Sequence, residues 1–253
     1  MPFTFAHPAI VIPLSKTGLK LSLTGLVIGS MAPDLEYFIQ MKEVENIGHH
    51  LHGILLFDVP IAILLSFLFH NLLRNSFIEN LPKVYRKRFH HLLGFNWNTF
   101  AKQNPVTIFL SILIGIGSHL GWDAFTHHDG FVVDLIPALS AEIMIMNFSL
   151  PVYFIAQIVF SILGMAMVHF QIMRMSIQPR NLERLEIDYL YWTIFSFLVC
   201  CIFLVRFILW SELNSFGGIM IAMMGSILYS WLLISIYYQF KLKIKKLNYE
   251  YFK

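Results

Sequence analysis

The sequence predicts an all-α, polytopic integral membrane helix bundle with five full spans and an N-terminal short helical hairpin. Of its 253 residues, 57% are hydrophobic and only 13% are charged. Soluble domains are about 45–50% apolar, so the chain is too apolar for that class. Five segments also reach the length of about 20 residues that crossing a hydrocarbon core requires. They are residues 53–72, 105–125, 150–173, 188–210 and 215–240.

The N-terminal region predicts the short hairpin rather than a sixth span. Two apolar stretches, residues 5–14 and 21–33, are each too short to cross, and Lys16 and Lys20 lie between them. Unpaired backbone is not tolerated against lipid, so other helices must shield such a re-entrant pair. We therefore expect both stretches to enter and leave the membrane on the same side.

Basic residues predict the orientation, because cytoplasmic loops carry the excess of Lys and Arg. That excess lies between the first two spans, around Arg180 and Arg184 between the third and fourth, and in the C-terminal tail. The connection 126–149 and the turn 211–214 contain neither residue type. These two are expected outside and the C-terminus in the cytoplasm. Since the basic residues serve orientation, membrane lipids rather than nucleic acid are the expected partners.

One helical face predicts a metal site at the outer end of the second span. His119, Asp123 and His127 are spaced four residues apart, which places them along one side of a helix. Their nitrogen and oxygen atoms are ligands that Zn²⁺ accepts, and ionisable residues within a membrane are costly and usually functional. The plainer interpretation is a buried histidine satisfied by one hydrogen bond.

Three further segments bring histidine or aspartate to the same outer level. His49, His50 and His52 directly precede the first span, and the sequence leaves open which of them is a ligand. Asp34 follows a proline that ends an apolar run, although Asp is also an ordinary helix N-cap. His7 arrives from the N-terminal hairpin. This convergence predicts a site for a divalent metal, zinc being expected, with one or two ions.

Two charged residues within spans have alternative interpretations. Asp58 either orients a ligand histidine or makes a hydrogen bond between helices near Pro60, since a charged carboxylate is costly there. Arg206 could hold an anionic substrate, but its side chain is more often expected to reach the interface by snorkelling.

The segments MPFTFAHPA, LVIGSMAPDLEYF, GHHLHGILLFDVP and GSHLGWDAFTHHDG resemble the bacterial membrane family called domain of unknown function 4184. The match runs in order through residues 1 to about 175. The pattern is also similar to the LexA-regulated inner-membrane metal-dependent hydrolases, which are distantly similar to zinc-dependent phospholipase C. This resemblance implies a bacterial cytoplasmic (inner) membrane location and hydrolysis as the activity. It implies as ligands His7, Asp34, His49, His119 and Asp123, although His50 stands where relatives often have serine.

The leading hypothesis is a membrane-bound, metal-dependent hydrolase whose site faces the extracytoplasmic side. Its substrates would be phosphoester or ester bonds of lipids or small periplasmic molecules, with His128 and Asp129 as proton acceptors. Residues 1–175 would form the membrane domain with the metal site, and 176–253 a two-helix scaffold. A transporter of metal ions or protons, supported by Asp58, ranks second. A structural membrane protein ranks third, and a closed four-ligand metal site would favour it.

Overall fold

The computed structural model describes residues 3–43, 47–177, 188–210 and 215–251. Short 3-10 turns occupy Thr4–Ala6, Ile12–Lys16 and His90–Gly94. The helices are α1 (Pro8–Val11), α2 (Leu23–Gly29), α3 (Leu35–Gln40), α4 (Leu51–Asn80), α5 (Lys83–Phe89), α6 (Trp97–Gln103), α7 (Pro105–Asp123), α8 (Phe131–Leu135), α9 (Pro137–Ser140), α10 (Val152–Met173), α11 (Tyr189–Leu209) and α12 (Phe216–Tyr251). The strands are β1 (Glu142–Ile145) and β2 (Phe148–Pro151).

Within the described residues, five helices are long and apolar enough to cross a membrane: α4, α7, α10, α11 and the part of α12 that ends at Lys241. The predicted all-α membrane bundle is therefore confirmed. Helix α4 extends eight residues beyond its predicted end at 72, because neither proline nor glycine lies between that residue and Pro82. Its 30 residues are more than the roughly 20 needed to span a hydrocarbon core, so the helix is long enough to extend beyond that core.

The exposure of α10 shows why this fold needs a membrane. Of its 22 residues only Gly164 is buried. Ile162 and Leu163 are more than half exposed, at 64% and 58%. Apolar surface of this extent is unfavourable in water, so lipid is its natural surrounding.

The N-terminal hairpin has the predicted short elements. Its first limb ends with the turn at Lys16, and Ser22 begins the second limb as the N-cap of α2. The Ser22 hydroxyl accepts a hydrogen bond from the Gly25 amide at 3.2 Å. This cap lets α2 start directly after an extended residue.

The antiparallel pair β1–β2 was not predicted. Glu142 pairs with Pro151 and Ile145 with Phe148, and Met146 in the turn has a φ of 55°. All four residues of β1 are exposed. Because neither face is buried, the strands lack the alternation that identifies a half-buried strand in sequence.

The chain divides into two compact units. The first comprises Met1–Leu35, Asn46–Ser66 and Ala101–Arg174, and the second comprises Glu36–Glu45, Phe67–Phe100 and Met175–Lys253. All six predicted metal ligands belong to the first unit. The predicted basic loop with Arg180 and Arg184 and the turn 211–214 lie outside the described residues.

Arg206, in the second unit, is buried rather than extended towards an interface. Its Nε donates to the backbone oxygen of Met41 at 2.9 Å, and Nη1 donates to that of Trp210 at 3.2 Å. Met41 has a φ of 52°, at the end of the segment containing α3. The guanidinium thus holds the ends of two helical segments in place. This differs from the expected snorkelling.

Candidate metal centre

One face of α7 carries both the helix packing and the candidate ligands. Ser111, Gly115, His119 and Asp123 recur every fourth residue and are all buried. The residues nearer the start of the helix are small, and those nearer its end are ionisable. A single stripe therefore brings α2 close and then presents His119 and Asp123 beside it.

Helices α2 and α7 pack with almost no side chains between them. A Cβ atom added to Gly115 would lie 2.5 Å from the backbone oxygen of Leu26, and one added to Gly29 would lie 2.4 Å from that of Ile112. Small residues spaced four apart on both helices permit this approach, as they do in many membrane bundles. Gly25, Gly29 and Gly115 could have indicated this contact from the sequence.

The close packing fixes the orientation of the His119 ring. Its Nδ1 lies 2.8 Å from the backbone oxygen of Ser30, which follows α2 directly. A carbonyl only accepts, so Nδ1 carries the proton and Nε2 is the ring nitrogen that faces the opposite side. There, Nε2 lies 3.2 Å from Asp123 Oδ2 and 3.5 Å from Asp34 Oδ1.

Asp34 is fully buried, and its two oxygen atoms have different roles. The Thr4 hydroxyl donates to Oδ2 at 2.5 Å. Oδ1 faces His119 and His49 instead. The threonine therefore holds the carboxylate with one oxygen directed at the histidines, as partners of metal-binding carboxylates commonly do.

His49 is the histidine of the GHHLHG segment that reaches the carboxylates. Its Nε2 lies 3.6 Å from Asp34 Oδ1 and 3.6 Å from Asp123 Oδ2. His50 and His52 stack on one another instead, with ring centroids 5.3 Å apart. The turn before α4 thus separates three histidines that the sequence could not rank.

Asp34, His49, His119 and Asp123 form a four-residue centre in which one donor atom of each lies within 4.8 Å of the others. The histidine-to-carboxylate distances are 3.2–3.6 Å. Most of them are longer than a direct hydrogen bond, which is about 2.7–3.2 Å. Tetrahedral bonds of about 2.0–2.2 Å separate neighbouring ligands by about 3.3–3.6 Å. The spacing and the chemistry of these donors fit a divalent cation such as Zn²⁺.

The hydrogen bonding of the centre points the same way. His119 Nε2, Asp34 Oδ1 and both carboxylate oxygens of Asp123 are buried and have no hydrogen-bond partner among the described residues. Buried polar atoms are normally paired, so a group of such atoms in one place needs an explanation. A bound cation would satisfy all of them together.

His7 and His127 lie beside this centre, at the other oxygen of Asp123. His7 Nε2 is 3.6 Å from Asp123 Oδ1, and its ring stacks on His119 with centroids 3.9 Å apart. His127 Nδ1 is 3.7 Å from Asp123 Oδ1 and 3.1 Å from the backbone oxygen of the same residue. Neither belongs to the group of four, so their predicted ligand roles stay predictions.

The charge states of Asp34 and of the neighbouring His7 suit metal binding. Burial raises the pKa of Asp34, but the adjacent histidines, His119 and then His7, together lower it more, so the pKa lies below its usual value. Burial lowers the pKa of His7 to about 3, and the neighbouring His119 adds to this effect. An ionised carboxylate and a neutral imidazole are the forms that bind metals.

The two predicted proton acceptors are exposed. The side chains of His128 and Asp129 are 78% and 64% accessible, and His128 Nδ1 lies 3.4 Å from Asp129 Oδ1. They follow His127 directly in the chain and pair with each other. Asp58, by contrast, is fully buried in a π-helical turn of α4, Ile54–Asp58.

No curated protein and no solved structure matches the chain. The similarity to LexA-regulated hydrolases therefore stays a prediction. The model of a family described as domain of unknown function (DUF4184) matches residues 1–236, which extends beyond the segments that first indicated it and includes all five spans at least in part. The chain thus belongs to the family called domain of unknown function 4184.

Proposed function

We propose that the four-residue centre binds zinc and that the protein is a membrane-bound, metal-dependent hydrolase. The observation that carries the proposal is the set of donor atoms of Asp34, His49, His119 and Asp123 at the spacing of metal ligands. The substrates would be phosphoester or ester bonds in lipids or small periplasmic molecules.

Charge supports a divalent ion at this position. Asp34 and Asp123 are 0% and 6% exposed, and both approach the same atom, Nε2 of His119. Two carboxylates buried side by side repel each other and are costly without compensation. A divalent cation compensates both charges at once.

The surrounding residues would support hydrolysis in distinct ways. Zinc, when bound, supplies a water molecule of lowered pKa and polarises the bond to be cleaved. Thr4 and the Ser30 carbonyl hold Asp34 and His119 in place. His49, with 15% of its side chain accessible, is the most exposed of the four and marks the side from which substrate approaches. His128, exposed and nearby in sequence, would accept protons.

Two rival functions have an observation in their favour. Four protein ligands are typical of a structural zinc site, whereas a catalytic site usually has three and an open position. The group of four therefore also suits a metal that only stabilises the fold. Asp58, buried within α4, suits a proton or metal pathway, since ionisable residues in spans often serve transport.

Metal content is the first test. Protein purified in detergent without chelators should contain about one or two zinc ions per chain by mass spectrometry, as His/Asp sites of this kind bind. Asp34→Asn and Asp123→Asn, which preserve side-chain shape, should each lose the metal. Asp134→Asn removes the same charge at an exposed position and should retain it. Wild-type protein that stays metal-free after incubation with zinc would refute the proposal.

Activity separates a hydrolase from a structural metal site. Zinc-loaded wild type should cleave bis(p-nitrophenyl) phosphate or p-nitrophenyl acetate, and Asp123→Asn should not. If the protein binds zinc but cleaves neither these substrates nor phospholipid vesicles, the result would favour a structural role for the metal. Zinc uptake into sealed vesicles, abolished by Asp58→Asn alone, would instead indicate a transporter.

The orientation belongs to the same proposal, because the centre is expected on the extracytoplasmic side. Met146, in the β1–β2 turn, is 91% exposed. In cells of a variant with Cys200 and Cys201 replaced by serine, Met146→Cys should react with a membrane-impermeant maleimide. Lys83→Cys, in the basic segment, should react only after the cells are opened. The reverse pattern would place the centre in the cytoplasm.

A further inference from the structure

The second compact unit contains a polar cavity that is separate from the candidate metal ligands in sequence. Its volume is about 280 Å³, and it is lined by His70, Asn71 and Arg74 of α4 and by residues 94–98 before and within α6. Small-molecule pockets range from about 300 to 1,000 Å³, and this cavity lies just below that range, so it suits a small ligand the size of a headgroup.

Arg74 gives the cavity a buried positive charge. The residue is 7% exposed, and its Nη1 donates to the backbone oxygen of Phe95 at 2.6 Å and to His70 Nδ1 at 3.3 Å. Its Nε donates to Asn75 Oδ1 at 3.1 Å, and Nη2 donates to the backbone oxygen of Leu93 at 3.5 Å, so all its partners are neutral. Among the described residues no carboxylate forms an ion pair with it. Buried charges are costly unless an opposite charge compensates them, and backbone carbonyls only partly do so.

Trp97 adds a donor without an acceptor. It is 3% exposed, and its ring stacks on His70 with centroids 4.5 Å apart and planes at 5°. Its Nε1 is buried and has no hydrogen-bond partner among the described residues. Buried indole N–H groups usually find an acceptor, so the cavity that Trp97 lines is the natural place for one.

The asparagines at the rim also present donors. Asn96 Oδ1 accepts from the Thr99 amide at 3.0 Å, and Asn98 Oδ1 accepts from Asn71 Nδ2 at 3.0 Å. Each oxygen already accepts one hydrogen bond, and the NH₂ groups of Asn96 and Asn98 can donate to a ligand. The lining is therefore positive and rich in donors.

We propose that this cavity binds a phosphate group, either free or as part of a lipid headgroup. A phosphate offers several acceptor oxygens and the negative charge that Arg74 lacks, and arginine is well suited to such a ligand. The buried N–H of Trp97 and the NH₂ groups at the rim are the donors that these oxygens would accept from. The site is independent of the metal centre, and its test uses EDTA-treated protein so that bound metal cannot contribute.

Isothermal titration calorimetry of the full-length protein in maltoside detergent tests the proposal with two probes. The first is inorganic phosphate and the second is dihexanoyl phosphatidylglycerol, with dihexanoylglycerol as the uncharged reference. Saturable 1:1 binding of phosphate supports a site for the free ion. Saturation by the phospholipid alone supports a headgroup site. No saturation by either probe overturns the proposal.

Variants locate the binding. Asn98→Asp can still accept from Asn71 but places a negative charge at the rim, and a lost charge-assisted contact corresponds to roughly tenfold weaker binding or more. Trp97→Phe keeps the ring and removes the N–H, so a loss of several-fold is expected. Gln103→Glu adds the same charge at an exposed position farther along α6 and should leave the affinity unchanged. If Asn98→Asp and Gln103→Glu weaken binding equally, the binding depends only on the overall charge of the protein, and the proposed site is refuted.

Discussion

Substitution of Gly115 by alanine should damage the metal centre without touching a ligand. The added Cβ would lie 2.5 Å from the Leu26 oxygen and 2.7 Å from the Ser30 nitrogen, while real Cβ atoms keep at least 3.0 Å. All the nearest atoms are backbone, so α2 must retreat by at least 0.5 Å. Metal sites tolerate deviations of only about 0.2 Å in ligand distance.

The retreat moves the Ser30 carbonyl, which orients His119. Loss of such a supporting hydrogen bond typically weakens metal binding by about 10- to 100-fold. We therefore expect the zinc affinity of Gly115→Ala, measured by competition with a chelator of known affinity, to fall by about that factor. The thermal unfolding midpoint of the metal-free protein should fall as well.

Gly117 and Gly121 supply matched controls on the same helix, because an added Cβ meets nothing within 4 Å at either position. Alanine there should leave zinc affinity unchanged and favour the helix by about 0.5–1 kcal/mol. If Gly115→Ala binds zinc as tightly as Gly121→Ala, the argument that the α2–α7 contact positions the centre is refuted.

Three further outcomes are expected. Thr4→Val keeps the side-chain shape but removes the hydrogen bond to Asp34, so zinc affinity should fall by about 10- to 100-fold, and an unchanged chelator titration would contradict this. Zinc affinity should also fall on acidification. Burial lowers the pKa of His49, but the nearby carboxylates raise it more, so a proton competes with zinc from a higher pH than usual. Below this pKa, the zinc affinity should fall by up to about tenfold per pH unit. His128→Ala should reduce kcat about 10²- to 10⁴-fold if this residue accepts the proton, with zinc content unchanged; equal turnover would remove it from the mechanism.

The five spans could be predicted because hydropathy accumulates locally. Each span is long and apolar by itself, so its existence does not depend on what it packs against. Its end was less predictable: α4 continues to Asn80 because helical hydrogen bonding proceeds until Pro82, regardless of where the hydrophobic stretch weakens.

The centre was predicted in part. The spacing of His119 and Asp123 follows from helix geometry, and topology alone suggested that Asp34 would lie at the same level. His49 reaches the carboxylates and its neighbour His50 does not, because the turn before α4 directs successive side chains differently. No sequence pattern specifies that turn.

The β1–β2 pair was missed for a different reason. Strand prediction relies on one face being buried, but all of β1 and half of β2 are exposed. The close contact of α2 with α7 was missed because glycine within a helix signals poor propensity as readily as it signals close packing. Only the Cβ distances at Gly29 and Gly115 separate these meanings.

Because Ser111, Gly115, His119 and Asp123 lie on one face of α7, close packing against α2 and placement of the ligands both depend on the same helix register. Each residue advances an α-helix by about 100°. Deleting one residue between Gly115 and His119 would therefore turn both ligands a quarter of the way round the helix while leaving its hydropathy nearly unchanged. Such a chain would still insert and span the membrane, but it would place His119 and Asp123 away from α2. In α7, membrane insertion tolerates a shift in register that metal binding does not.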